Sequence, residues 1–227
     1  MAHKHHPGAV PHDLTPQTAL DYLKEGNFRF VNALMRDHDH LEQINQTKDG
    51  QWPFAAIVSC MDSRTSAELI FDQGLGDIFS IRNAGNVITN SVLGSLEFAT
   101  AVAGSKLILV LGHTGCGAIK GACDNVKLGH LTEVLARITP AVNAETTVHE
   151  NRTSKNSDFV YKVTDLNVDL GVKRIMEGSE VIRELVEKGT VGICPAVYDI
   201  ATGKVTFHED KAILNGKTAA KQQAVMA

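Results

Sequence analysis

The sequence predicts an α/β fold built on a parallel sheet with helices on both faces. Two continuous apolar runs, FAAIVSC (54–60) and KLILVLG (106–112), carry that prediction, with DIFSIRN (77–83) between them. Strands apolar on both sides belong to sheets covered on both sides, and such sheets are parallel. Helically spaced stretches separate the three runs, the alternation expected of crossover-connected strands, and the crossovers should be right-handed. A chain of 227 residues suits one such domain.

The elements follow in order. Thr15-Pro16 is a helix cap followed by proline at the first helical position. Leu20, Leu23, Phe30, Val31 and Leu34 then keep a helical period to about Met35, giving an N-terminal helical arm. Residues 36–52 are polar and read as turns. TSAELIFDQ and SVLGSLEFATAVA (91–103) are the helices between the strands, and the chain turns helical again after Cys116. Residues 143–157 are a polar loop. From Asp158 to Lys188 the helical spacing returns, with Gly171 and Gly178 as interruptions. TVGICPAVYDI and KVTFHE around Ala-Thr-Gly form a closing hairpin. Residues 1–14 read as a flexible tail, 15–210 as a single domain and 211–227 as a disordered tail.

Composition excludes several function classes. Net charge is −4 with both signs interspersed, so neither a nucleic-acid nor a membrane-surface partner is expected. No apolar stretch approaches the ~20 residues needed to span a bilayer. The N-terminus lacks the apolar core of a secretory signal, and its histidines (His3, His5, His6, His12) read as an incidental tail. Cys60, Cys116, Cys123 and Cys194 are too dispersed for a secreted disulfide framework, so the cytoplasm is the expected location.

Chemistry concentrates in two short segments. Ligands of parallel α/β sheets bind beyond the carboxyl ends of the strands. Cys60 ends the first strand and HTGC (113–116) ends the third, so both should reach one edge of the sheet. A phosphatase-type cysteine needs a longer spacer to its arginine than the three residues between Cys60 and Arg64. GHTGCGAIKG also lacks the lysine of a Walker loop. A cysteine–histidine hydrolase activated by His113 stays open, although it leaves the second cysteine without a role. Zinc accounts for most: Cys60, His113 and Cys116 supply the ligand types it prefers, and three protein ligands leave one position open for water. Gly115 and Gly117 let the backbone come close. Cys123 and Cys194 read as inert buried thiols. If the segment after Cys60 is extended, residues i, i+2 and i+4 share a side. Asp62 then faces the ion, and Arg64 holds its carboxylate ionised in a forked pair.

C-x-D-S-R at Cys60–Arg64 with H-x-x-C at His113–Cys116, joined by RNAGN, resembles the β-class carbonic anhydrases. The likeness runs from about Pro16 to Phe207 and takes in LKEGNFRF, AELIFDQGLGDIFSIRNAGN, HTGCGAIKG and AVYDIATGKV. It implies a central four-stranded parallel sheet flanked by helices, extended by a C-terminal strand and assembled as homodimers, homotetramers or higher even oligomers. It implies one Zn2+ per subunit on Cys60, His113 and Cys116, and reversible hydration of carbon dioxide to bicarbonate, a zinc lyase reaction, with Asp62 and Arg64 as the orienting dyad. By the same resemblance Gln51 and the Gly117 amide contact substrate, Phe79 and Ala84 form an apolar wall, and Phe98 stands where plant-type members carry a tyrosine from the neighbouring subunit. Ile57 stands where one subgroup carries a tryptophan beside bound bicarbonate, so the water-bound form is expected at neutral and alkaline pH. His130 and His149 are proton-shuttle candidates that read more simply as solvated surface histidines. The alternatives are hydrolysis of carbon disulfide or carbonyl sulfide on the same scaffold, or a zinc or bicarbonate sensor without turnover.

Overall fold

The structure, a computed structural model, describes residues 14–218. Helix α1 (Pro16–Val31) begins as expected: the Thr15 hydroxyl accepts from the Thr18 amide at 3.1 Å and Pro16 opens the first turn. Its Ala19, Leu20 and Leu23 are buried against the sheet. The helix stops at Val31 rather than near Met35. Ala33 takes a left-handed backbone (φ 54°), which turns Leu34 and Met35 out to solvent.

The segment read as turns holds a second helix, α2 (His40–Thr47), capped by Asp39, whose carboxylate accepts from the Glu42 amide at 3.0 Å. Its two large apolar residues, Leu41 and Ile44, are both exposed, and two such positions in eight are too few to mark a helix in the sequence. The remaining elements are β1 (Ala55–Cys60), a one-turn α3 (Ala67–Ile70), β2 (Ile78–Asn83), α4 (Asn90–Glu97), β3 (Leu107–His113), α5 (Gly117–Cys123), α6 (Leu131–Ala144), α7 (Ser157–Gly178), α8 (Glu180–Glu187), β4 (Gly192–Tyr198), β5 (Val205–Phe207), β6 (Ile213–Leu214) and β7 (Lys217–Thr218). A 3₁₀ turn at Ala84–Asn86 follows β2, and a π-helical turn at Phe98–Val102 extends α4.

The sheet order is β2-β1-β3-β4-β6-β7, with β5 also pairing β4. The first four strands are parallel, as expected; Ile57 pairs Leu109, and Leu109 pairs Cys194. The closing hairpin forms, with Ala196 opposite Phe207 and Tyr198 opposite Val205. The sheet then continues past the boundary read at residue 210. Ile213 pairs Ile193, and Asn215-Gly216, both at positive φ (55° and 74°), make the two-residue turn into β7. Asn-Gly is the strongest two-residue hairpin signal, and Ala212 is buried, so residues 211–218 belong to the fold. Residues 1–13 and 219–227, including the four tail histidines, lie outside the described residues.

Period-2 alternation sends β1 side chains to two cores. Ala55 and Ile57 join Leu20, Leu23, Phe71, Leu107 and Leu109 beneath α1 and α3. Ala56 and Val58 join Ile108, Val110, Val168, Val172 and Ile182 beneath α4, α7 and α8. Gly171 does not interrupt α7, which runs unbroken to Gly178. A Cβ on Gly171 would lie 2.9 Å from Val110 Cγ1, so glycine there lets helix and strand approach. A third cluster, containing Cys60, Cys116, Ile119, Leu135, Ile138 and Phe159, closes the carboxyl end of the sheet.

Candidate metal centre

Parallel pairing of β1 with β3 (Ser59 opposite Leu111) carries Cys60 and His113 to the same edge of the sheet. Gly115, at φ 70°, then reverses the chain so that Cys116 arrives at the start of α5. One donor atom from each of Cys60, His113 and Cys116 lies within 4.8 Å of the other two, and all three residues are buried. The two sulfurs are 3.9 Å apart. Thiolates each ~2.3 Å from a tetrahedral zinc stand roughly 3.8 Å from one another, so the pair fits such an ion.

The imidazole is oriented for ligation. Its Nδ1 lies 3.0 Å from the Thr114 carbonyl; a carbonyl only accepts, so Nδ1 carries the proton and Nε2 the free lone pair. That buried Nε2 has no hydrogen-bond partner, a costly arrangement unless a cation takes the lone pair. The Thr114 hydroxyl donates to Asp199 at 3.0 Å and thereby fixes the supporting residue.

The bond between the two sulfurs moves the thiols in opposite directions. The bond shared with Cys116, opposed by burial, and the Gly85 and Asp62 amides hold the Cys60 thiol below its ordinary value. Cys116 is pushed up by that same bond and by burial. Cys194 is raised to about 12 and Cys123 to about 11, both first by burial, and neither joins the cluster. Cys194 is a fully buried thiol as expected, whereas Cys123 is only half-buried.

The segment after Cys60 is not extended. β1 ends at Cys60, and the Thr65 amide donates to the Asp62 carbonyl at 3.0 Å, closing a turn. Arg64 therefore reaches Asp62 by folding back over the turn rather than by the strand alternation expected above. The forked pair still forms: Arg64 Nε donates to Oδ1 at 2.9 Å, Nη2 to Oδ2 at 2.7 Å, and its backbone amide to Oδ1 at 3.0 Å. Asp62 Oδ2 stands 4.0 Å from His113 Nε2. The Arg64 hydrogen bonds hold the Asp62 carboxyl well below the usual carboxylate range.

Two supports of this turn escaped the sequence reading. The Thr65 hydroxyl lies 2.9 Å from both the Cys60 and Asp62 carbonyls, and Arg82 donates to the same two at 3.2 and 2.7 Å. Arg82 belongs to the RNAGN stretch, but its reach depends on its pairing opposite Ser59, which spacing alone does not reveal.

Other candidate residues divide into two groups. Gly117 opens α5 beside Cys116, and Ala84 precedes Gly85, whose amide donates to Cys60 Sγ at 3.4 Å. Phe79 and Phe98 instead stack edge-on, 6.1 Å apart, in a groove between β2 and α4 lined also by Ser80, Ile81, Ser91 and Ser95. That groove contains none of the three metal-site residues. Phe79 pairs Ala56, four positions before Cys60, and Gln51 precedes β1, whose far end carries Cys60. Within one chain these three residues do not gather at the metal centre. His130 and His149 are exposed, as expected.

The carbonic anhydrase family model matches residues 55–205. A carbonic anhydrase of Mycolicibacterium smegmatis is 35% identical over 196 residues, covering 84% of this chain and 92% of its own length. The chain belongs to the β-class carbonic anhydrase family. Among solved structures, the Coccomyxa β-carbonic anhydrase superposes with a TM-score of 0.67 at 21% identity, covering 91% of this chain and 97% of its own. A structure from a study of two tetrameric β-carbonic anhydrases of Sordaria macrospora gives a TM-score of 0.62 at 23% identity, covering 74% and 89%. At those identities the likeness is one of fold. The span matched to the carbonic anhydrase family holds Cys60, Asp62, Arg64, His113 and Cys116 and leaves Gln51 outside.

Proposed function

We propose that this chain catalyses the reversible hydration of carbon dioxide to bicarbonate and a proton, with one Zn2+ per subunit held by Cys60, His113 and Cys116. The observation that carries the reading is the unpartnered, buried His113 Nε2, which faces two sulfurs 3.9 Å apart and lies 4.0 Å from an arginine-held carboxylate. When bound, zinc acidifies a water molecule and supplies hydroxide near neutral pH.

The chain's own residues do the rest. Asp62, kept ionised by Arg64, accepts a hydrogen bond from the nucleophile and so directs its lone pair toward the carbon. Both Asp62 oxygens are engaged by Arg64, and Ile57, packed in the core beneath α1 and α3, supplies no bulky aromatic at its position; both favour the water-bound form at neutral and alkaline pH. The Gly117 amide, at the positive end of α5, donates to the bicarbonate formed, and Ala84 lines the apolar wall.

Phe79, Phe98 and Gln51 lie away from the cluster of their own chain, which supports a homo-oligomer whose partner copy completes the substrate wall. Four free thiols suit a cytoplasmic setting. Among the described residues no helix is long and apolar enough to cross a membrane. Residues 15–218 form the catalytic domain in this reading.

Stopped-flow carbon dioxide hydration tests it, with chain as purified, chelator-treated and zinc-restored, and with Cys60→Ser and Asp62→Asn. Activity should vanish with the metal, return with zinc and be lost in both variants. Hydration that survives full chelation, or sulfide release from carbonyl sulfide without hydration, would overturn the assignment.

A further inference from the structure

Asn167 stands on α7 in a stretch without any motif, and 4% of it is exposed. Around it on the helix are Val160, Val163, Thr164 and Val168, all buried. An amide in such surroundings is costly unless it is hydrogen-bonded. Its Nδ2 donates to the Gly85 carbonyl at 3.1 Å. The Gly85 amide in turn donates to Cys60 Sγ at 3.4 Å.

We propose that Asn167 is a positioning residue of the metal centre, holding Gly85 so that its amide stays aimed at the Cys60 sulfur. This rests on the reading of Cys60, His113 and Cys116 as a cation site. The Ala84–Asn86 turn has little of its own to fix it. Gly85 (φ 68°) and Asn86 (φ 44°) are both left-handed, and Asn83 ties only the ends of the turn together through its bond to the Val87 carbonyl at 2.9 Å. Asn167 reaches the middle of that turn from another element. An N–H bond to a thiolate withdraws charge from the sulfur and fixes its direction, the usual work of outer partners around a ligand.

The same stretch of α7 steadies the second ligand segment. A Cβ on Gly112, the residue before His113, would lie 2.7 Å from Val168 Cγ1 and 3.2 Å from Thr164 Cγ2. One helix therefore braces both segments, by a hydrogen bond beside Cys60 and by close contact beside His113.

Full-length wild type, Asn167→Leu and the nearly isosteric Asn167→Asp are compared for Zn2+ affinity by chelator competition, and for the sulfur-to-metal charge-transfer band after Co2+ loading. Val172→Ala, a buried position further along α7, is the packing control. Both Asn167 variants should bind zinc roughly 10- to 100-fold more weakly and shift the band, whereas Val172→Ala should lower Tm with affinity and band unchanged. Asn167 variants within twofold of wild type with an unmoved band would overturn the proposal, as would an equal affinity loss in Val172→Ala. A wild-type chain that takes up no stoichiometric zinc would instead remove the cation-site reading and this inference with it.

Discussion

Replacing Gly85 by alanine probes how tightly the protein is built around Cys60. Gly85 sits at φ 68°, where a residue with a Cβ loses about 1–2 kcal/mol. The new methyl would lie 2.7 Å from Ile138 Cδ1 and 3.1 Å from Ala118 Cβ. Ile138 is fully buried, so its terminal methyl has no solvent to swing into, and forced overpacking costs about 1–3 kcal/mol. Restricting the unfolded chain offsets about 0.4–1 kcal/mol of this, leaving a net destabilisation of about 1–5 kcal/mol. Ile138→Val removes the closest atom and by itself costs about 0.5–1.5 kcal/mol. The double variant should therefore be more stable than the two single losses predict, by about 1 kcal/mol, while the backbone part of the cost remains. Urea unfolding of the four proteins at one fixed metal load supplies all the free energies. A Gly85→Ala variant within about 0.5 kcal/mol of wild type would refute the reasoning, and a strictly additive double variant would refute its steric half.

Two further predictions concern carboxylates. The side chain of Asp72 is fully buried and meets the Arg29 guanidinium, His38 Nε2 at 3.0 Å and the Arg36 amide. Burial pushes its pKa up, but these partners outweigh burial and hold it below the ordinary value. A lowered folded-state pKa means stability that is present above the unfolded value and is lost as pH falls through the folded one, so this contribution should be constant from neutral pH to about 4 and fade below. Asn tolerates the left-handed backbone at this position (φ 49°), so Asp72→Asn isolates the charge; it should cost about 3 kcal/mol at pH 7 and flatten the acid limb of a stability-versus-pH curve. Arg64→Ala should lower hydration turnover roughly 10- to 100-fold and let Asp62 titrate nearer the ordinary carboxylate range, with Arg64→Lys recovering only part because it lacks the fork; a kcat–pH profile identical to wild type would contradict this.

The strands and the metal trio were legible because their signals are local. Buried parallel strands show as unbroken apolar runs, and Cys60, His113 and Cys116 fall at the ends of two of them. Helix α2 was hidden because its eight residues hold only two large apolar positions, Leu41 and Ile44, too few to establish a period. The β6–β7 hairpin carries a local signal in Asn215-Gly216 after Ile213-Leu214, but its two-residue strands are too short to show any alternation. Strand alternation misdescribed Asp62 and Arg64, since a turn at Thr65 replaces the extended backbone. Asn167 and Arg82 lay beyond reach for another reason. Each acts through a partner distant in sequence, 82 positions for Asn167 and Gly85 and 20 for Arg82 and Asp62, and only the folded register reveals such pairs.

The sulfurs of Cys60 and Cys116 are separated by 56 positions along the chain. Anything that ties them together staples a long loop, much as a disulfide would, and chain-entropy arguments value such a tie at about 4 kcal/mol. An ion seated there would lend the whole molecule mechanical cohesion as well as reactivity, so starvation for that ion would cost the cell folded protein and not merely turnover.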